Sequence, residues 1–295
     1  MEALDTLPAA GGELGAPFEV SRPPPGRASP LIYASPHSGR LYPMEMMAAS
    51  SLDADAIRRS EDAFVDELIR PATEHGAVVI SARVARAYVD VNREPYELDQ
   101  AMFEDELPVF ARGRSPRVAA GLGAIARIVA EGQEIYARKL TFAEATARIE
   151  AVHRPYHTAL GRLIEEASAQ FGRAVLIDFH SMPSAAAGGS DGRGCDIVLG
   201  DRFGGACAPG VSRMVEECLK GLGYRVARNV PYAGGYTTEH YGRPSRGVHA
   251  LQIEIDRGLY LDEKTLRLKP GYESVKADLG RLFHRLSEAD WAATG

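Results

Sequence analysis

Seven short apolar runs, each of strand length, recur along the 295-residue chain and alternate with stretches of helical spacing. They are LIYASPH (31–37), AVVISAR (77–83), AYVDVNR (87–93), AVLIDFH (174–180), DIVLG (196–200), YRVARNV (224–230) and HALQIEID (249–256). Near-continuous apolar runs mark strands covered on both faces, and strands interleaved with helices make an α/β fold. Helical spacing falls near 53–74, where Ile57, Phe64, Val65 and Leu68 share a side, and near 117–138. It recurs near 141–171 with Gly172 as a stop, near 210–221 and near 272–289. The expected architecture is a mixed, mostly parallel sheet flanked by helices.

No Pro/Gly/Ser linker and no fixed repeat interrupts residues 30–295, which are expected to form a single α/β domain. Residues 1–29 lack the basic region and apolar core of a signal peptide and are expected to form a loosely ordered arm. No run approaches a membrane span. A net charge of −6 argues against a nucleic-acid partner, which calls for a basic face, and requires that an acidic ligand be met by local arginines. Cys195, Cys207 and Cys218 are an odd set without a CxxC pair. They suit neither a disulfide framework nor a thiolate zinc site, and a reducing cytoplasm is the natural setting.

In open α/β sheets ligands gather outside the carboxyl ends of strands. His37, Asn92 with Arg93, His180 and Glu254 all fall at or near such ends. A hydrolytic zinc site draws about three ligands from His and Asp/Glu and keeps a position open for water. The HExxH signature is absent, so only the fold can bring His37 and His180 together. In SEDAFVDEL (60–68), Asp62 and Asp66 are four apart on one helical face and Glu61 is one position off. The alternative for these acids is a solvated helix edge. Asp178, two residues before His180, shares its strand face and is placed to hold the imidazole from behind. Gln252 and Glu254 likewise share one side of their strand, with Ile253 and Ile255 on the other.

Two further motifs invite chemistry that their context disfavours. HRPYH puts His153 and His157 four apart on a helix, a metal-like spacing, but no glutamate follows the first histidine and Pro155 disturbs the turn. GGSDG (188–192) matches the GxSxG expression, yet a nucleophile elbow needs a tight strand-to-helix turn and Ser190 stands in a Gly/Ala-rich loop. The loop over 181–194 reads instead as a cover that orders over bound substrate.

Taken in order, SPHSG, EDAFVDEL, YVDVNRE, HRPYH, DFHS and GGYTTEHYGRPSRGVHALQIEI resemble the N-formylglutamate amidohydrolases over about residues 30–262. The resemblance implies a fold similar to zinc carboxypeptidases and aspartoacylase, one zinc per chain, and hydrolysis of a formamide to formate and an amino acid. It implies His37, Asp62 and His180 as metal ligands, with Asp178 behind His180 and Glu254 as general base. Glu61 and Asp66 stay open as alternatives to Asp62. The substrate expected is a small acidic N-acyl amino acid. Arg93 and Arg154 are the candidate clamps for its carboxylate and for the oxyanion, because guanidinium binds such groups bidentately. Arg243 and Arg246 form a second pair, and His240 and Tyr241 are candidates for the mouth of the site. The sequence departs from the carboxypeptidase pattern at Arg40, three residues after His37, where an acid is expected. Other readings are an N-acyl amino acid deacylase, a carboxypeptidase-like amidase, and a non-catalytic protein that binds an amino acid.

Overall fold

A computed structural model of the chain describes residues 15–188 and 194–291. Seven strands form one sheet: β1 (Phe18–Ser21), β2 (Leu31–Ser35), β3 (Val78–Ala82), β4 (Ala174–Met182), β5 (Ile197–Gly200), β6 (Val226–Arg228) and β7 (Val248–Asp256). Their spatial order is β1, β3, β2, β4, β7, β5, β6. β2, β4 and β7 run parallel, β5 is antiparallel to β7, and β6 is parallel to β5. This is the mixed, mostly parallel sheet that the apolar runs predict. β1 falls within the stretch expected to be a loose arm, of which residues 1–14 lie outside the described residues. By its internal contacts the chain divides into two compact units. The first comprises Met1–Glu19, Pro36–Glu61 and Ser81–Ala159; the second comprises Val20–Ser35, Asp62–Ile80 and Leu160–Gly295.

The second unit is built on the sheet. Helices Val65–Ile69, Pro209–Gly221 and Gly271–Ser287 share one apolar cluster with it, and the last two match the helices expected near 210–221 and 272–289. Val175, Ile177 and Phe179 from β4 enter that cluster, as do Leu251, Ile253 and Ile255 from β7. Side chains alternate along a strand, so Asp178, His180, Gln252 and Glu254 point to the opposite face. All four are nonetheless buried. Burying such groups costs free energy unless each has a partner, so their partners define the chemistry of that face.

The first unit has little regular structure, and here periodicity misleads. The helix expected over 117–138 is reduced to Pro116–Ala119 and a single turn at Ala130–Gly132. Gly121 and Gly132 take left-handed φ values of 80° and 73°, and a Cβ on Gly123 would meet the Glu97 carbonyl oxygen at 2.4 Å, so this backbone cannot wind on as a helix. AYVDVNR is a run of turns rather than a strand; residues 87–92 are all buried and belong to no strand ladder, so the apolar alternation marks no strand face. The helix expected over 53–74 breaks between Ala54–Ile57 and Val65–Ile69, where Phe64 adopts a left-handed φ of 65°. The stretch 141–171 is helical as expected, but Ile149–His153 is a π turn. It stands just before Pro155, which has no N–H and crowds the carbonyl four residues back, and the wider turn relieves that conflict. No helix among the described residues is long and apolar enough to cross a membrane.

Candidate metal centre

Register on the sheet fixes the first contact. β4 and β7 pair Asp178 with Gln252 and His180 with Glu254. Neighbouring strands lie about 4.8 Å apart and in-register side chains share a face, so Glu254 stands beside His180. Asp62 occupies the turn into helix Val65–Ile69, its carbonyl accepting from the Val65 N–H at 3.2 Å. Its Oδ2 lies 3.1 Å from Nδ1 of His180. His37 follows the end of β2 by two residues. One ligand atom from each of His37, Asp62 and His180 lies within 4.8 Å of the others, and all three side chains are buried. Among the described residues no other cluster offers three such groups.

Asp62 is therefore the acid of the group. Its neighbour Glu61 is engaged elsewhere, accepting from Tyr42 Oη at 2.7 Å and from Arg58 at 3.0 and 3.3 Å. Asp66 lies on helix Val65–Ile69 outside the group. The expected i, i+4 face of Asp62 and Asp66 does not exist, because Asp62 precedes the helix.

Each histidine carries a carboxylate on Nε2. Asp178 Oδ2 lies 3.0 Å from Nε2 of His180, in the place read from the sequence. Asp90 Oδ1 lies 2.7 Å from Nε2 of His37, and its Oδ2 accepts from Arg86 Nη2 at 2.7 Å. Arg257 Nη2 donates to Asp62 Oδ1 at 2.6 Å, while its Nε bonds Ser181 Oγ at 3.0 Å. Neither Asp90 nor Arg257 is singled out by the sequence patterns. The signals were an acid inside the apolar alternation of AYVDVNR and a cation at the carboxyl end of β7, where strand-end polar groups collect.

Burial alone would lower the pKa of His180, but Asp178, Asp62 and Glu254 raise it well above the usual value. Burial would likewise raise the Asp90 carboxyl, which Arg86, His37 and Arg93 hold well below the usual carboxylate range. A buried imidazole ringed by three carboxylates marks a place that favours added positive charge. Two imidazoles and a carboxylate are also a donor set that suits a hydrolytic zinc ion, so these residues fit the metal.

Glu254 is held from its own strand. Gln252 Nε2 donates to Glu254 Oε1 at 2.7 Å, and Gln252 Oε1 accepts from the Gly235 N–H at 2.8 Å. The amide is thus oriented by a backbone donor and orients the carboxylate in turn. A second local constraint lies in SPHSG. A Cβ on Gly39 would meet the Val84 carbonyl oxygen at 2.2 Å, where Leu41 bridges to Val84. Gly39→Ala is expected to cost about 1–3 kcal/mol through the forced backbone shift. Thermal denaturation checks this, and an unchanged Tm would show that the neighbouring chain yields freely.

The expected clamps differ in quality. Arg93 is half-buried; its Nε donates to the Leu122 carbonyl at 3.0 Å and its Nη1 to that of Asn92 at 2.8 Å, so the guanidinium plane is set without a carboxylate partner among the described residues. Arg154 is 58% exposed and pairs with Glu150 at 2.6 Å. Arg243 and Arg246 are exposed and flank the start of β7, with Arg243 bridged to Val248. Six residues separate Val248 from Glu254, about 20 Å along a strand, so this pair stands at the wrong end of β7 to share a site with Glu254. His240 is exposed and stacks on Tyr236 at 4.9 Å, with Tyr241 edge-on at 4.7 Å. His153 and His157 lie outside the metal group, each with Nε2 on a backbone carbonyl. Ser190 lies outside the described residues, as does the middle of the expected cover; Ser184–Ala187 is a helical turn.

Residues 29–261 match the sequence profile of the N-formylglutamate amidohydrolase family. The chain belongs to this family. It is 29% identical to the N-formylglutamate deformylase of Pseudomonas putida over 237 residues, covering 79% of this chain and 82% of that protein. With the N-formylglutamate deformylase of Pseudomonas aeruginosa it shares 30% identity over 238 residues, covering 80% and 83%. The crystal structure of N-formylglutamate amidohydrolase from Ralstonia eutropha superposes with a TM-score of 0.87 at 37% identity, covering 92% of this chain and 98% of that one. A gene product of Agrobacterium tumefaciens shares the fold at a TM-score of 0.64 and 18% identity, covering 92% and 96%. As a member of this family, the chain carries the metal-capable group on motifs that fall inside the matched region.

Proposed function

We propose that the chain is a zinc-dependent amidohydrolase that cleaves N-formyl-L-glutamate to formate and glutamate. The observation that carries this reading is the buried His37, Asp62 and His180 group with Glu254 in register beside His180, in a chain of the N-formylglutamate amidohydrolase family. Because Asp90 and Asp178 hold Nε2 of the two rings, Nδ1 of each is the nitrogen assigned to zinc, with Asp62 as the third ligand. His37, Asp62 and His180 would hold the zinc, which would supply Lewis acidity for water, whose pKa falls to about 7 on such an ion, and for the formyl carbonyl. Glu254, fixed by Gln252, accepts a proton from the attacking water and delivers it to the departing amine nitrogen. Arg93 receives a substrate carboxylate, since its plane is set in advance and the chain's net charge of −6 offers no long-range attraction to a dianion. With three cysteines that are all free thiols, we assign the enzyme to the cytoplasm; release of glutamate from its N-formyl derivative is the ground for placing it in amino acid catabolism, in histidine degradation.

Release of the free amino acid from a panel of N-formyl and N-acetyl amino acids tests the substrate. N-formyl-L-glutamate is expected to be cleaved fastest, and N-acetyl-L-glutamate about 10- to 200-fold more slowly, the range that one methyl group commands in a pocket. Equal rates on neutral N-formyl amino acids would remove the acidic clamp, and no hydrolysis of any N-formyl compound would remove the function. Arg93→Lys keeps the charge but loses the planar fork, and kcat/KM for N-formyl-L-glutamate is expected to fall at least about tenfold, equivalent to about 1.4 kcal/mol. Wild-type kinetics in that variant would make Arg93 structural.

A further inference from the structure

The HRPYH motif stands outside the metal group, yet both of its histidines are committed. Nε2 of His153 lies 2.9 Å from the carbonyl oxygen of Arg93, and Nε2 of His157 lies 2.7 Å from that of Val91. A carbonyl only accepts, so each ring carries a proton on Nε2. The rings lie 4.4 Å from centroid to centroid; His153 ends the π turn Ile149–His153 and His157 stands four residues on, in the helix that continues it.

The segment they grip has no ladder of its own. Its other ties include the Asp90 N–H to the Ala124 carbonyl at 2.8 Å, the Arg93 N–H to the Asp90 carbonyl at 3.3 Å, the Asn92 N–H to Asp90 Oδ1 at 2.8 Å, and the Arg93 side chain on Leu122. A buried carbonyl that accepts from no backbone N–H is satisfied by a side chain or water, and the carbonyls of Val91 and Arg93 accept from the two histidines. The two carbonyls taken by histidine belong to Arg93 itself and to the residue next to Asp90, which holds His37.

We propose that His153 and His157 are positioning residues: their Nε2–H donors fix the 90–93 backbone, and through it the Asp90 carboxylate behind His37 and the guanidinium of Arg93. The proposal rests on the reading of His37 as a metal ligand and Arg93 as a substrate clamp.

The test compares H153F, H157F, H153Q and H157Q with R93K in the zinc-loaded protein, reading KM and kcat for N-formyl-L-glutamate and the zinc Kd by chelator competition. Phe keeps a ring without a donor, and Gln keeps an N–H donor at similar reach. In H153F, KM is expected to rise at least about tenfold with kcat within about threefold, the signature of lost binding. In H157F, zinc affinity is expected to fall about 10- to 100-fold, as when an outer partner of a ligand is lost. Each Gln variant is expected to return both quantities to within about threefold of wild type. Folded Phe variants with wild-type KM and zinc Kd would overturn the proposal, since a purely structural role lowers Tm alone. Should the Phe variants fail to fold, the Gln variants decide, and loss of substrate or zinc binding in either one overturns it. R93K separates the two levels: wild-type KM there fells the clamp, while the zinc Kd of H157F still tests the hold on Asp90 and His37.

Discussion

Replacing Glu254 by Gln is expected to lower kcat for N-formyl-L-glutamate by about 10² or more while zinc content and KM stay near wild type. The two side chains have the same shape. An amide at position 254 can turn its oxygen toward the Gln252 Nε2 that now donates to Oε1, so the local packing survives. What disappears is the capacity to take a proton from water and return it to the amine. Steady-state kinetics with metal analysis on the same preparation separates these effects. Turnover within a few-fold of wild type would remove Glu254 from proton transfer, and loss of zinc would show that it acts on the metal rather than on the proton.

His37→Ala and His180→Ala are each expected to weaken zinc binding by at least about a hundredfold, beyond the 10- to 100-fold that follows loss of an outer partner. The fold is expected to persist, because the apolar cluster around β4, β7 and helix Gly271–Ser287 contains neither histidine. His180→Ala carries a second cost. It removes the imidazole that faces Asp178, and breaking a buried pair from one side typically costs about 3–5 kcal/mol. His180→Gln keeps a donor for Asp178 and separates the two effects: zinc is lost while most of the thermal stability is retained. Full zinc occupancy in His37→Ala and His180→Gln alike would remove the site.

The strands that carry the site were legible because each is a near-continuous apolar run, and a His, Asp or Glu inside such a run is conspicuous. Asp178, His180 and Glu254 were found that way, and the face they share followed from alternation alone. What lies between the strands was less legible. AYVDVNR alternates like a strand, but residues 87–92 are buried throughout and its backbone pairs with no ladder, so sequence period does not reveal its turns. The stretch 117–138 has helical spacing, which is blind to the left-handed glycines that stop a helix. Asp62 was expected on a helix that Phe64 in fact interrupts; it lies with His37 and His180, but in the turn before the helix. Arg257 meets Asp62 across 195 residues of sequence, and no local pattern reveals that ion pair.

The central claim joins one metal to one reaction, and a single titration measures both. Metal-free protein is titrated with zinc while bound metal and formate release from N-formyl-L-glutamate are followed together, in wild type and in the His37→Ala/His180→Ala double variant. The account predicts that wild-type turnover rises linearly and breaks at one zinc per chain, with formate and glutamate released in equal amounts, while the double variant stays inactive at the same free zinc. Wild-type turnover in the double variant, or full activity in metal-free protein, would contradict it.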